Sequence, residues 1–265
     1  MVNDSNIYKQ RVGEQRKNNK NRLIIERMKE MWDESGKIEN PMEAVHFSSS
    51  DKPVDEKVYD DIADEVSERL SLNENDDLLE VGCGNGLLLQ RLKNRVKSIV
   101  GVDFSKEMLK GIKDPSIKTY QAEANTLPFS DHSFDKVICH SIFHYFPDLE
   151  YAEESVLEMV RVCKPNGQIL ISDVLNGYLK EIYLEEEKKK LSLQEKIKNI
   201  LLQSCPWLRH IRRITAPPLF IEPIFFKKLF LNNKYKVYIL LETVESKPKP
   251  FLMFRYDVLI FKIVK

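Results

Sequence analysis

The chain has 265 residues, and its 41 Lys plus Arg are matched by 41 Asp plus Glu, so no net field at neutral pH gathers nucleic acid or an anionic membrane. That length suits one large α/β core with additions, and Cys83, Cys139, Cys163 and Cys205 stand too far apart for a zinc site or a redox pair. The polar start and the lack of any uncharged apolar run of roughly 18 residues lead us to expect a cytoplasmic protein with reduced thiols, no bound metal and no nucleic-acid partner.

Residues 1–52 are charged and helix-prone, with Leu23, Ile24, Met28, Met31 and Trp32 assigned to one face and Gly36 ending the pattern, which predicts a helical cap. A second helix over 55–70 carries Val58, Ile62, Val66 and Leu70 on a stripe, and a polar turn at 73–77 leads into Leu78-Leu79-Glu80-Val81. This apolar run reads as a buried strand, Gly82-Cys83-Gly84-Asn85-Gly86 as a tight turn, and 87–96 as a helix. Alternating glycines let backbone N–H groups approach a ligand without side chains in the way. A dinucleotide fingerprint wants glycine where Leu87 stands, and a P-loop wants Gly-Lys-Ser/Thr, which Gly86-Leu87-Leu88 does not provide. Cys83, inside the turn, reads as a small space-filler.

A strand over 98–103 follows, ending on Asp103, then a helix near 106–111, a strand over 133–140 and a helix over 151–162. Lys164-Pro165-Asn166-Gly167 turns into a fifth strand ending at Asp173, and Asn166 tolerates the left-handed conformation that such a turn needs. Alternating strands and helices predict parallel βαβ units over residues 53–175. Residues 176–222 depart from that pattern, with a charged helix over 178–203 and then Cys205-Pro206-Trp207 and Ala216-Pro217-Pro218, and read as a helical insertion or lid. The acid-then-lysine run at 185–190 is a solvated helix face. Residues 223–265 complete the sheet with a helix over 223–231 and strands over 235–242 and 254–264. The apolar stretch 218–231 holds Lys227 and Lys228, so core or lid packing stands against membrane or partner contact.

The pattern Glu80-x-Gly82-x-Gly84-x-Gly86 resembles the first motif of class I S-adenosylmethionine-dependent methyltransferases (type 11/25-like, small-molecule branch), and later motifs follow in order over about 76–175. The resemblance implies a Rossmann-like seven-stranded mixed sheet of order 3-2-1-4-5-7-6 with the last strand antiparallel. It implies S-adenosylmethionine as cofactor and S-adenosylhomocysteine as product. Glu80, Gly82, Cys83, Gly84, Asn85 and Gly86 then line the cofactor, Asp103 binds its ribose hydroxyls, and Phe104 and Met108 lie beside it. Tyr120 to Phe129 resembles the third motif, with Glu123 where the family has Asp. Either that carboxylate meets the adenine amine, or it turns to solvent and the Ala124 N–H recognises the base. His140 is expected at the cofactor's methionine end or on the loop backbone.

Methyl transfer from a sulfonium is an in-line displacement, so the protein aligns the reactants and excludes water. His144 is the candidate base, against a reading in which it caps or packs on the next helix. Asp173 is the second candidate, orienting a substrate hydroxyl or a histidine, while His46 and Tyr59 reach toward the cleft from the cap side. No Asp-Asp or His-x-x-x-His cluster supports a metal, and the Asn/Asp-Pro-Pro-Tyr/Phe signature of nucleic-acid and protein amino methylation is missing. Residues 254–262 resemble the ending of methyltransferases of polysaccharide and sugar-nucleotide biosynthesis. The expected acceptor is therefore a hydroxyl of a small glycosyl or natural-product molecule. A lipid or quinone precursor and a non-catalytic cofactor-binding protein are the alternatives.

Overall fold

Strands that read as continuous apolar runs need cover on both faces, and the chain provides it by crossing from strand to strand through helices. The computed structural model describes residues 4–45, 56–185, 218–231, 234–241 and 255–263. Five strands, β1 (Asp77–Val81), β2 (Ser98–Asp103), β3 (Ile117–Gln121), β4 (Phe134–His140) and β5 (Cys163–Leu175), pair in parallel, and β6 (Tyr235–Leu241) and β7 (Arg255–Lys262) add an antiparallel end. The sheet has seven strands in the order β3-β2-β1-β4-β5-β7-β6, with β7 antiparallel to both neighbours. The chain winds outward from β1 to β3 and returns to β4 beside β1, which opens a crevice at the carboxyl ends of these strands.

Side-chain alternation splits the core into two layers. Leu79, Val137, Ile169 and Ile171, with Val258 and Ile260, meet α6 (Leu149–Val162) and α7 (Ile224–Leu229) on one face. Leu78, Ile138, Leu170 and Leu259 meet α3 (Glu56–Leu70) and α4 (Leu87–Leu92) on the other. The stripe expected on the second helix is the buried one, since Val58, Ile62, Val66 and Leu70 all lie in that second layer. Two further helices, α1 (Asp4–Ser35) and α2 (Pro41–Ala44), precede α3, and α5 (Lys106–Lys110) follows β2.

Two expectations need adjustment. Leu23 is 47% exposed: Ile24, Met28 and Trp32 recur at the four-residue step that keeps one face inward, and Leu23 falls on the opposite side. The fifth strand runs past Asp173 to Leu175, because Ile171 pairs with Val258 and Val174 with Tyr256, so Ser172 and Asp173 form a bulge inside the strand. The strand also starts earlier than expected, at Cys163, so the left-handed Asn166, at φ 64°, lies within its first residues, where the pairing with β4 jumps from Phe134–Cys163 to Lys136–Gln168. A helical segment covers 180–185; the rest of the helix expected to 203, Cys205 and His46 lie outside the described residues.

The stretch 218–231 is divided: Ile221 and Phe226 are fully buried, Phe230 nearly so, and Phe226 meets Phe143 and Tyr256 tilted and edge-on, while Ile224 and Leu231 are exposed. No helix among the described residues is long and apolar enough to cross a membrane. If the stretch is core, Phe226→Ala should lower the stability measured by urea unfolding by about 3–5 kcal/mol. A surface-contact role predicts the reverse pattern, unchanged stability with loss of vesicle sedimentation.

Candidate active site

The turn between β1 and α4 is built on positive φ, with Gly82 at 78°, Gly84 at 52° and Gly86 at 79°. At Gly82 there is no room for a side chain either, because a Cβ there would stand 2.6 Å from Cδ1 of Ile142. The turn hangs on β2 through the N–H groups of Gly82 and Cys83, both donating to the Val102 carbonyl at 2.7 and 3.0 Å. Gly84 then donates to Oδ2 of Asp103 at 2.9 Å, and the Ser105 N–H donates to Oδ1 at 2.8 Å. Burial raises the Asp103 carboxyl to about 6, against the pull of these two amides. Cys83 packs its sulfur where a Cβ on Gly101 would lie, 2.7 Å away, and burial holds its thiol well above the ordinary range.

Glu80 sits on the floor of the crevice. Its carboxyl is raised to about 8 by burial and by the charge of Asp103, and its Oε2 is buried without a hydrogen-bond partner. Asn85 donates to the Pro41 carbonyl at 2.7 Å, which holds α2 against the turn, while its own Oδ1 is buried and unpartnered. Met108 is buried with its methyl group 3.2 Å from the place of a Cβ on Gly84, and Phe104 is half-buried at the end of β2. On the cap side, Asp33 of α1 accepts from the Ser105 hydroxyl at 2.6 Å, so Ser105 links the cap to Asp103. Glu123 is exposed; its Oε2 accepts from the Tyr151 hydroxyl at 3.3 Å, and the Ala124 N–H faces the same hydroxyl.

Across the crevice, the chain leaves β4 through a left-handed Ser141, at φ 59°, into a single 3-10 turn, Phe143–Tyr145. His140 shares a 2.8 Å hydrogen bond through Nδ1 with the Ser172 hydroxyl. His144 has a buried, unpartnered Nδ1, and burial and the Arg255 charge push its imidazole down to about 3. Tyr145 meets Trp32 of the cap edge-on at 5.5 Å, and Tyr59 of α3 lies buried with its hydroxyl raised by burial and by Glu80 and Asp173. Asp173 is buried; its Oδ2 accepts from Ser141 Oγ and from Arg255, each at 2.5 Å.

A methyltransferase-domain family model matches residues 79–171. The phosphatidylethanolamine N-methyltransferase of Cereibacter sphaeroides is 30% identical over 151 residues, 53% of this chain and 68% of that protein. The chain belongs to the class I S-adenosylmethionine-dependent methyltransferases. An uncharacterized methyltransferase of Schizosaccharomyces pombe is 34% identical over 113 residues, 42% of this chain and 43% of its own length. The chain spans less than half the length of several relatives that it matches. Phosphoethanolamine N-methyltransferase 1 of Haemonchus contortus, solved with phosphoethanolamine and S-adenosylhomocysteine, shares the fold at a TM-score of 0.61 and 12% identity, covering 92% of this chain and 50% of that one.

The methyltransferase's residues fit the family's cofactor. A turn stripped of side chains, a carboxylate at the end of β2 and the orphaned Glu80 oxygen together make a cradle for a polar, cationic nucleoside. The structure brings Glu80, Gly82, Cys83, Gly84, Asn85, Gly86, Asp103 and Met108 to one side of the crevice, and His140, His144 and Asp173 to the other. Among the described residues no His/Cys/Asp/Glu group suits a metal. Sequence reasoning gave no site role to Ser105, Asp33, Tyr151 or Arg255. Of these, only Ser105 carries a local signal, as a helix cap two residues after the strand-end acid.

Asp103→Ala should weaken cofactor binding in calorimetry by about 1.5–3 kcal/mol, the scale of charged hydrogen bonds. Glu80 has a folded-state carboxyl at about 8 against its ordinary 4.5, so the unfolded chain ionises first as pH rises. Stability of the ligand-free protein should therefore fall between those two values and level off above them, and Glu80→Gln should flatten the slope in urea midpoints measured across that range.

Proposed function

We propose that this chain transfers the methyl group of S-adenosylmethionine to a small molecule, in first place to a hydroxyl of a glycosyl or natural-product precursor. The sulfonium supplies an electrophilic methyl group. Glu80, Asp103 and the glycine turn hold the cofactor's polar ends, while the carboxyl ends of β4 and β5 present the acceptor wall. The observation that carries the hydroxyl reading is the character of that wall. Its carboxylate, Asp173, is already met by Arg255 and Ser141, which leaves the His144 imidazole, with its buried unpartnered Nδ1, to make a hydrogen bond. An imidazole held down to about 3 is neutral at neutral pH, so it accepts a hydrogen bond from the acceptor hydroxyl, orients its lone pair toward the methyl group, and takes the hydroxyl proton as the O–CH3 bond forms and the S–CH3 bond breaks, releasing it afterwards to solvent.

The same imidazole favours a second reading. A base held so far below working pH is a weak one, and an amine needs none once it is neutral. The Cereibacter sphaeroides relative is named for an amino lipid, which supports methylation of a lipid precursor as the alternative.

The test incubates purified protein with methyl-labelled cofactor, a panel of sugar nucleotides and ethanolamine-containing lipids, and reads products by mass spectrometry. A methyl ether supports the first reading and an N-methyl product the second; cofactor binding with no S-adenosylhomocysteine from any acceptor marks a silent binder. With a hydroxyl acceptor at saturating cofactor, His144→Gln should lower kcat by about 10²-fold or more at unchanged cofactor affinity. The wild-type rate should then hold from pH 8 down to 5, because His144 stays neutral throughout; an amine acceptor would instead lose rate as it protonates.

A further inference from the structure

Two non-glycine residues with positive φ stand side by side at the crevice, Ser141 at 59° and Asp173 at 66°, and the Ser141 N–H donates to the Ser172 carbonyl at 3.0 Å. Left-handed backbone at residues with a Cβ is strained and persists only where its surroundings over-determine it. Here the surroundings come from β7 and α3. Opposite the β5 bulge the strand register leaves Asp257 facing both Ser172 and Asp173, and Asp257 Oδ1 accepts the Asp173 N–H at 2.7 Å in place of a ladder carbonyl. Two residues earlier on β7, hence on the same face, Arg255 donates to the Asp173 carboxylate at 2.5 Å and to its carbonyl at 3.2 Å. Arg69 of α3 pairs with Asp257 and also with Glu65 one turn back, so the charges are neutralised in a chain from the helix to the crevice.

We propose that Arg255 and Asp257 are positioning residues for the acceptor: together they clamp the bulge at Ser172–Asp173, and through it the departure of the chain from β4. The route is continuous. Asp173 Oδ2 accepts from Ser141 Oγ, the Ser172 carbonyl takes the Ser141 N–H, and the Ser172 hydroxyl meets the His140 ring. The clamp therefore sets the plane of His140 and the start of the turn that carries His144 and Tyr145. A bulge that re-aims side chains beside a reaction centre is a recurrent use of that irregularity. The glycine turn of the cofactor half is held separately, on the Val102 carbonyl of β2 and on Asp103, and His140 is where the clamp comes nearest to it. The inference deepens the methyl-transfer reading and rests on it for its kinetic consequences alone.

The experiment compares Arg255→Gln, Asp257→Asn and the conservative Arg255→Lys. It measures kcat and acceptor KM per folded molecule, S-adenosylhomocysteine affinity by calorimetry, thermal midpoint, and the imidazole NMR signals of His140 and His144. Arg255→Gln and Asp257→Asn should lower kcat by about 10²-fold, the cost of a small misplacement at a reaction centre, with product affinity nearly unchanged and both imidazole signals moved. Arg255→Lys should recover part of the rate. Wild-type kcat and wild-type imidazole signals in variants that only melt earlier would overturn the proposal, as would cofactor affinity falling in step with rate. Should either β7 variant fail to fold, Ser141→Gly removes the hydroxyl while relieving the strain, and the same displacement of the His144 signal is expected; an unmoved signal counts against the clamp. The imidazole signals need no turnover, so they judge the clamp even if no acceptor is methylated.

Discussion

The hydrogen bond from the Gly84 N–H to Asp103 joins the two halves of the cofactor cradle, and most of the site follows from it. It exists because β1 and β2 are adjacent and parallel, so their carboxyl ends meet, and because the turn after β1 runs through positive φ that directs its amides toward β2 instead of onward into a helix. A side chain at Gly82 would strike Ile142, the residue before the 3-10 turn that carries His144. One backbone conformation thus fixes both the distance from turn to carboxylate and the distance from turn to the far side of the crevice.

Three of the acids buried at the carboxyl edge of the sheet meet the cost of burial in different ways. Asp103 is solvated by two backbone amides. Asp173 is held by a guanidinium and a hydroxyl, a complete local pairing that favours a fixed backbone over a movable proton. Glu80 lies beside Asp103 with one oxygen unpartnered, and its carboxyl rises to about 8. A neutral acid beneath the cradle leaves room for a charge that arrives with a ligand, since a sulfonium or ammonium group close by would favour the carboxylate again. The cleft is in this sense unfinished electrostatically on the cofactor side and finished on the acceptor side.

What was legible in the sequence is what short-range chemistry dictates. The glycine turn, the strand ending on Asp103, the stripe of α3 and the left-handed Asn166 are each written in a few neighbouring residues, and the strand order came with the family resemblance those residues carry. Arg255, Asp257 and Arg69 were not legible because their meaning lies in pairing across sequence separations that no periodicity reports, 82 residues from Arg255 to Asp173 and 188 from Arg69 to Asp257. The bulge at Asp173 escaped for the same reason: an apolar run does not reveal where a partner strand skips a residue. His144 was found by its place after β4, yet its environment, buried near Arg255, belongs to the assembled core and changes the role that its side chain can take.

The ends of the region between β5 and β6 return to one place. Asn176 bridges to Ile221, Gly177 donates to the Ile221 carbonyl at 3.0 Å, and that same carbonyl takes the Tyr256 hydroxyl at 2.9 Å. Two residues before Ile221, the Leu219 N–H donates to the His144 carbonyl at 3.0 Å. The connection is therefore rooted on the turn that carries His144 and on β7, through Leu219 and Ile221. The short stretch 219–221 thus ties together the turn after β4, the end of β5 and the seventh strand.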